Sequence, residues 1–215
     1  MPASREEKNH ARRVVRHLAK HYADAECALH YDSPFQLLIA TILSAQCTDE
    51  RVNMVTAVLF AKYPTAFELA KATQKQVEKI VKSAGFFRAK AKNIRACAKD
   101  LVEKYEGQPP QDLEKLVALA GVGRKTGNVL LGTAFGIPSG VVVDTHVGRI
   151  SRRLGITFEK DPVKVERELM AVLPKKEWIY YSHRMIHHGR AICDARKPLC
   201  EQCSMRNFCP RIGVK

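Results

Sequence analysis

The segment Leu119-Ala-Gly-Val-Gly-Arg-Lys-Thr-Gly-Asn-Val-Leu-Leu131 sets a Gly-x-Gly turn between two stretches of helical pattern, 112–120 and 124–135. Gly121 and Gly123 let the backbone take positive φ and come close to a ligand. The helix that follows points its first N–H groups at that ligand, and the helix dipole favours an anion there. An ordinary helix–helix turn can also contain glycine. Here Arg124 and Lys125 follow at once, with Thr126 beside them, so the expected ligand is a phosphate held by Gly121, Gly123, Arg124 and Thr126.

Outward from this hairpin the chain reads as helix nearly throughout, an all-α fold. Residues 5–21 place Ala11, Val14, Val15 and Leu18 on one face. Ser33-Pro34 supplies a cap and a first-turn proline for a helix that is apolar most of the way round, and so central. Further helices are expected at 50–62, 65–71, 74–83, 88–106, 145–154, 162–173 and 177–191, punctuated by Gly85, Gly107 and Gly136. Val141–Val143 is β-branched but too short for a sheet, and Asp144 stands where an N-cap belongs.

The 215 residues suffice for one generous domain or two small ones, and with 46% hydrophobic residues a packed core is expected. The densest apolar run, 35–45, is too short for a membrane span, and no apolar signal region follows the N-terminal Met-Pro-Ala-Ser; a chain without membrane attachment is expected. Lys and Arg number 36 against 22 Asp and Glu, an excess of 14 spread along the sequence. A long polyanion is the natural partner of such a field, bound with salt-sensitive affinity. Gly-Val-Gly followed by Arg-Lys is the pattern of the helix–hairpin–helix DNA-binding element.

Two more constellations carry chemistry. Lys125 is followed nineteen residues later by Asp144, in Val141-Val-Val-Asp-Thr-His146. A neutral lysine amine can attack an electrophilic sugar carbon and form a Schiff base, and burial near a helix N-terminus favours that neutral form. A carboxylate can accept a proton or stabilise developing positive charge on the sugar, and capping would hold it in place. The other is Cys193-x6-Cys200-x2-Cys203-x5-Cys209: four thiolates within seventeen residues call for a soft metal centre. Zinc and a four-iron cluster are both open, and the single short Cys-x2-Cys pair leans toward iron–sulfur. Arg190, Arg196, Lys197, Arg206 and Arg211 make this loop basic. Cys27, Cys47 and Cys97 read as small buried hydrophobes, and His183, His187 and His188 as polar helix-surface residues.

Ser44-Ala-Gln-Cys-Thr-Asp49, Gly121-Val-Gly-Arg-Lys125, Val143-Asp-Thr-His146 and the 6-2-5 cysteine spacing together resemble the endonuclease III family, over about residues 33–209. The resemblance implies a two-domain helix–hairpin–helix DNA glycosylase fold. A six-helix barrel would span 27–137, with the hairpin at about 112–132; an iron–sulfur domain would combine 1–26 with 138–215, with DNA in a cleft between the two. It implies a 4Fe-4S cluster on the four cysteines, Lys125 as nucleophile and Asp144 as catalytic carboxylate. The implied activity is base-excision repair: oxidised pyrimidines are flipped out of duplex DNA and removed, and abasic sites are cleaved by β-elimination. Gln46 matches the residue that fills the gap in the stack. Phe86 or Phe87 would be a second wedge unless the pair packs in the core, and His146, Arg190, Arg196 and Lys197 would meet DNA. A monomer acting on the bacterial nucleoid in the cytoplasm is expected. Two departures stand out: Ala120 replaces a usual proline, and Gly127 replaces a usual alanine.

Two rivals would read the residues differently. A monofunctional adenine-glycosylase type keeps the aspartate and cluster but lacks the lysine. A non-catalytic cluster-containing DNA-binding protein would need neither Lys125 nor Asp144.

Overall fold

The computed structural model describes residues 3–214. Met1, Pro2 and Lys215, which the expected domain limits and the N-terminal reading include, lie outside the described residues. The chain forms α1 (Arg5–His21), α2 (Pro34–Leu43), α3 (Asp49–Lys62), α4 (Ala66–Lys71), α5 (Gln74–Val81), α6 (Phe87–Tyr105), α7 (Leu113–Val117), α8 (Arg124–Phe135), α9 (Thr145–Arg153), α10 (Pro162–Val172) and α11 (Trp178–Ala191). Short 3-10 turns cover Lys82–Ala84, Lys175–Glu177 and Cys200–Gln202. The all-α expectation holds: no strand forms among the described residues, Val141–Val143 included. The chain divides into two compact units, Ala28–Ser139 and a discontinuous one of Met1–Cys27 with Gly140–Lys215.

In the continuous unit α2 is the axis. Ser33 accepts a hydrogen bond from the Gln36 N–H, Pro34 opens the helix, and every residue from Phe35 to Leu43 is buried. It packs against α3, α6 and α8, while α4 and α5 lie on α6. A helix buried all round must be apolar all round, which is why its sequence shows so little amphipathic contrast.

In the discontinuous unit, Ala11, Val14 and Leu18 of α1 join Val147 and Ile150 of α9, Val165 and Leu169 of α10, and Tyr181 and Met185 of α11 in one core. The cysteine-rich tail docks back on α1 through Phe208. The Arg13 guanidinium lies 4.1 Å from its ring centre, His10 and His17 meet it edge-on, and the His17 ring nitrogen Nε2 is 2.8 Å from the Ser204 carbonyl oxygen. The only covalent link from α1 to this tail is the whole intervening chain, so these contacts set where the tail lies.

Leu38→Ala is expected to lower the unfolding free energy by about 2–5 kcal/mol, because the side chain is fully buried in α2 and its neighbours cannot collapse onto the space. Urea unfolding monitored by circular dichroism measures it.

Candidate functional site

The hairpin between α7 and α8 needs its glycines for different reasons. Gly121 has φ +77°, and a Cβ there would lie 2.8 Å from Asn93 Cβ. Gly123 departs from the expected positive φ: it is the N-cap of α8 at φ −93°, in extended conformation with no side-chain cap, and nothing stands within 4 Å of where a Cβ would be. The N-terminus of α8 is therefore approachable by an outside acceptor. Gly127 is buried, and a Cβ there would sit 2.6 Å from Leu113 Cδ1, so its absence lets α7 and α8 close on each other. That packing offsets the cost of about 1 kcal/mol for glycine in a helix. Arg124 and Lys125 are exposed and Thr126 is half-buried. In the first turn of α8 the Lys125 side chain leaves the helix toward solvent, so burial does not favour its neutral form.

In the other unit Asp144 caps α9, as its sequence position predicts. Its Oδ1 accepts a hydrogen bond of 2.8 Å from the Val147 N–H. The carboxylate is half-buried and fixed by its own helix. His146, the second residue of α9, packs its ring over Gly189 of α11 so closely that no side chain could stand at that glycine. Burial lowers the pKa of His146; Asp144 acts in the opposite direction, and Arg149 and Arg190 add to the lowering. Arg149 donates from Nη2 to His146 Nδ1 (3.3 Å) and to the Cys193 carbonyl (2.9 Å). Arg190, Arg196 and Lys197 are exposed. The loop presenting the last two is held by Asp194, whose Oδ1 accepts from the backbone N–H groups of Arg196 (2.8 Å) and Lys197 (3.1 Å).

Cys193, Cys200, Cys203 and Cys209 line one pocket, walled by Ile150, Leu154, Ile192 and Met205. Among the described residues no three Cys, His, Asp or Glu side chains converge as a single ion requires. Zinc would gather its sulfurs at about 2.3 Å around one point. Four thiols set around the walls of one apolar pocket, rather than gathered at a point, suit a polynuclear cluster instead. Arg153, only 8% exposed, spans the pocket's edge: Nη1 donates to Cys193 Sγ (3.2 Å) and the Asp194 carbonyl (2.6 Å), and Nη2 to the Ala195 carbonyl (2.9 Å). His188 corrects the surface reading of the α11 histidines. It is buried, with Nδ1 3.0 Å from the Tyr22 hydroxyl and Nε2 3.9 Å from Cys203 Sγ, and burial pulls its pKa down to about 4. His183 is half-buried and also lowered by burial; only His187 is exposed. Of the other cysteines, Cys97 is fully buried and its thiol is pushed up to about 12, while Cys27 and Cys47 are half-buried.

Gln46 and Phe86 share an unusual state. Both are exposed, and both are non-glycine residues in the left-handed region, at φ +52° and +44°. Such conformations cost about 1–3 kcal/mol each and persist only where the surroundings hold them. Phe86 is 70% exposed, so the core-packing alternative fails for it; Phe87 beside it is half-buried. Sequence reasoning missed Arg149, Arg153 and Gly189, whose partners are distant in the chain. It also missed Lys90, a buried lysine whose signal is legible afterwards: it stands on the apolar face of α6 with Ile94, Cys97 and Leu101.

Residues 39–175 match the family model of the HhH-GPD superfamily of base excision DNA repair proteins, and residues 193–209 match the iron–sulfur binding domain of endonuclease III. Endonuclease III of Synechocystis sp. is 51% identical over 94% of this chain and 93% of its own length. That of Bacillus subtilis is 45% identical over 90% and 88%. A solved structure of a trapped endonuclease III–DNA covalent intermediate superposes with a TM-score of 0.90 at 43% identity, covering 95% of this chain and 96% of that one.

Replacing Arg153 with Met leaves the carbonyls of Asp194 and Ala195 without their donor and Cys193 Sγ without its cation. The variant is expected to be purified with less iron and sulfide per chain and to bleach faster in air, read by visible absorbance and iron assay. Wild-type iron content and bleaching rate would show that the guanidinium does not secure the pocket.

Proposed function

The chain belongs to the endonuclease III family of the HhH-GPD superfamily, bifunctional DNA glycosylases and abasic-site lyases of base excision repair, and from that premise we infer how its own residues divide the work. Lys125 is the nucleophile and Asp144 the carboxylate that assists it. The substrate is duplex DNA carrying oxidised pyrimidines or abasic sites. The enzyme acts as a monomer on the nucleoid in the cytoplasm. The observation that carries this reading is the placement of Lys125, exposed in the first turn of a helix whose N-terminus lacks a side-chain cap. A phosphate seated against the N–H groups beyond Gly123 would hold the strand beside that amine. A relative at 43% identity was captured covalently on DNA, which supports an attack of this kind.

The steps follow from those groups. The duplex opens at the damaged nucleotide, which costs a few kcal/mol and costs least where pairing is already weak. Gln46 and Phe86 enter the space left in the stack; both are exposed, and an apolar wedge such as Phe86 is favoured between bases. The Lys125 amine attacks the sugar C1′ as the base leaves. Asp144, ionised, stabilises the positive charge that develops on the sugar, and it takes up the ammonium proton of Lys125 once the C1′–N bond has formed. The ring opens to a Schiff base between Lys125 and the sugar, loss of a C2′ proton eliminates the 3′ phosphate, and water releases the enzyme. His146, Arg190, Arg196 and Lys197 bind the backbone. Cys193, Cys200, Cys203 and Cys209 would hold a 4Fe-4S cluster. When bound, that group supplies a structural tie and a redox centre, and base removal does not pass through it.

Borohydride added to wild-type protein on an abasic duplex is expected to fix a covalent adduct that Lys125→Ala does not form. An adduct in both would assign the attack to another amine; none in either would return the chain to the monofunctional rival. Asp144 is both cap and reactant, and two substitutions separate the roles. Asp144→Asn keeps a cap of equal quality, so thermal stability should hold while base release falls by about 100-fold. Asp144→Ala should lose the same activity and about 1 kcal/mol of stability as well. Full activity in the Asn variant would leave Asp144 only its capping role.

A further inference from the structure

Lys90 is 5% exposed, and among the described residues no carboxylate pairs with its ammonium. Two backbone carbonyls do: Leu43 O at 2.8 Å and Ala84 O at 2.7 Å. Leu43 is the last residue of α2, and Ala84 ends the 3-10 turn after α5. Both carbonyls are of the kind a helix end leaves without an intrahelical partner, and a cation is favoured there. One buried ammonium thus ties together two chain ends that lie 41 residues apart in sequence.

What each end leads into gives the tie its meaning. Three residues beyond Leu43 stands Gln46, and two beyond Ala84 stands Phe86, both exposed and both left-handed. The Lys90 backbone adds a third hold, its N–H donating to the Phe86 carbonyl at 3.0 Å. Neither exposed side chain has the burial that would keep its backbone in place, so the hold must come from behind. Burial lowers the pKa of Lys90, yet a nitrogen in this position still presents N–H donors to both carbonyls. An apolar residue would fill the volume but present none.

We propose that Lys90 is a positioning residue for DNA penetration: its ammonium fixes the two loops that carry Gln46 and Phe86 at one spacing, so that both side chains enter the opened duplex together. This rests on the reading of Gln46 and Phe86 as the inserted residues. Lys90 touches neither the sugar nor the base. Its loss should therefore impair steps that need the duplex opened and spare those that do not.

The experiment compares two substrates with intact, cluster-loaded protein. An abasic site in duplex DNA requires opening of the stack, and an abasic site in single-stranded DNA does not. Opening is read directly by 2-aminopurine placed beside the site, and cleavage by gel. Phe86→Ala and Gln46→Ala are run first: each should lose duplex opening, and if neither does, the reading of these two residues fails independently of Lys90. Lys90→Met is then expected to lose about 10- to 100-fold on the duplex, in the range that misplacement by an ångström produces, with single-strand cleavage within about twofold of wild type. Combined with Phe86→Ala it should add little, because the two act on one step. Lys90→Gln, which still donates but reaches less far, should fall between wild type and Met. Equal losses on both substrates, no loss on either, or additive losses with Phe86→Ala would overturn the proposal. Failure of both Lys90 variants to fold, seen by circular dichroism, would overturn it too, by making the residue a staple of the fold alone.

Discussion

A chain built only of helices must find partners for the free N–H groups at each helix start and the free carbonyls at each end, and the structure is organised around how those groups are satisfied. Ser4, Ser33, Thr48, Thr65, Thr73, Asp112, Asp144 and Asp161 each accept a backbone N–H at the head of a helix. Three helices lack such a cap: α6, α8 and α11. The last grows out of a 3-10 turn that already supplies a preceding turn of chain. The other two begin at Phe86 and Gly123, in the loops assigned to DNA. Leaving those starts without a side-chain acceptor forgoes about 1 kcal/mol apiece. At Gly123 it also keeps N–H groups clear for a phosphate.

Carbonyls are treated in the same way by buried cations. Lys90 serves the ends of α2 and the turn before α6; Arg149 and Arg153 serve the carbonyls of Cys193, Asp194 and Ala195 where the cysteine-rich tail begins. A buried charge is costly unless its hydrogen-bonding capacity is met, and carbonyl oxygens meet it with a fixed direction that a flexible carboxylate partner would not impose. The excess positive charge of the chain therefore has two uses. Exposed cations such as Lys125, Arg190, Arg196 and Lys197 are those we propose to meet DNA, while buried ones hold loop carbonyls.

What the sequence showed, and what it hid, follows from range. Caps act over three residues, so Ser33 and Asp144 could be placed from the sequence alone. Gly121 and Gly123 mark a turn that the residues around them complete. Lys90 bonds a residue 47 positions away, and Arg149 and Arg153 reach 40 or more, distances at which no local pattern carries information. Two expectations changed for the same reason. Phe86 was allowed a place in the core, and His188 was read as a surface residue. Each depended on what the fold brings near.

In the role we propose for it, Asp144 would be cap and reactant at once. A carboxylate has two oxygens; the cap engages Oδ1 with the Val147 N–H. That bond fixes the plane of the group and leaves Oδ2 to act on a substrate. An asparagine would preserve the bond and the plane but could neither accept a proton at ordinary pH nor balance a positive sugar. Conversely, a free carboxylate on a longer side chain would have the chemistry without the orientation. The requirement for an anion held rigidly at a helix start is met by aspartate more fully than by any other side chain, which binds the local folding rule and the chemistry to the same position.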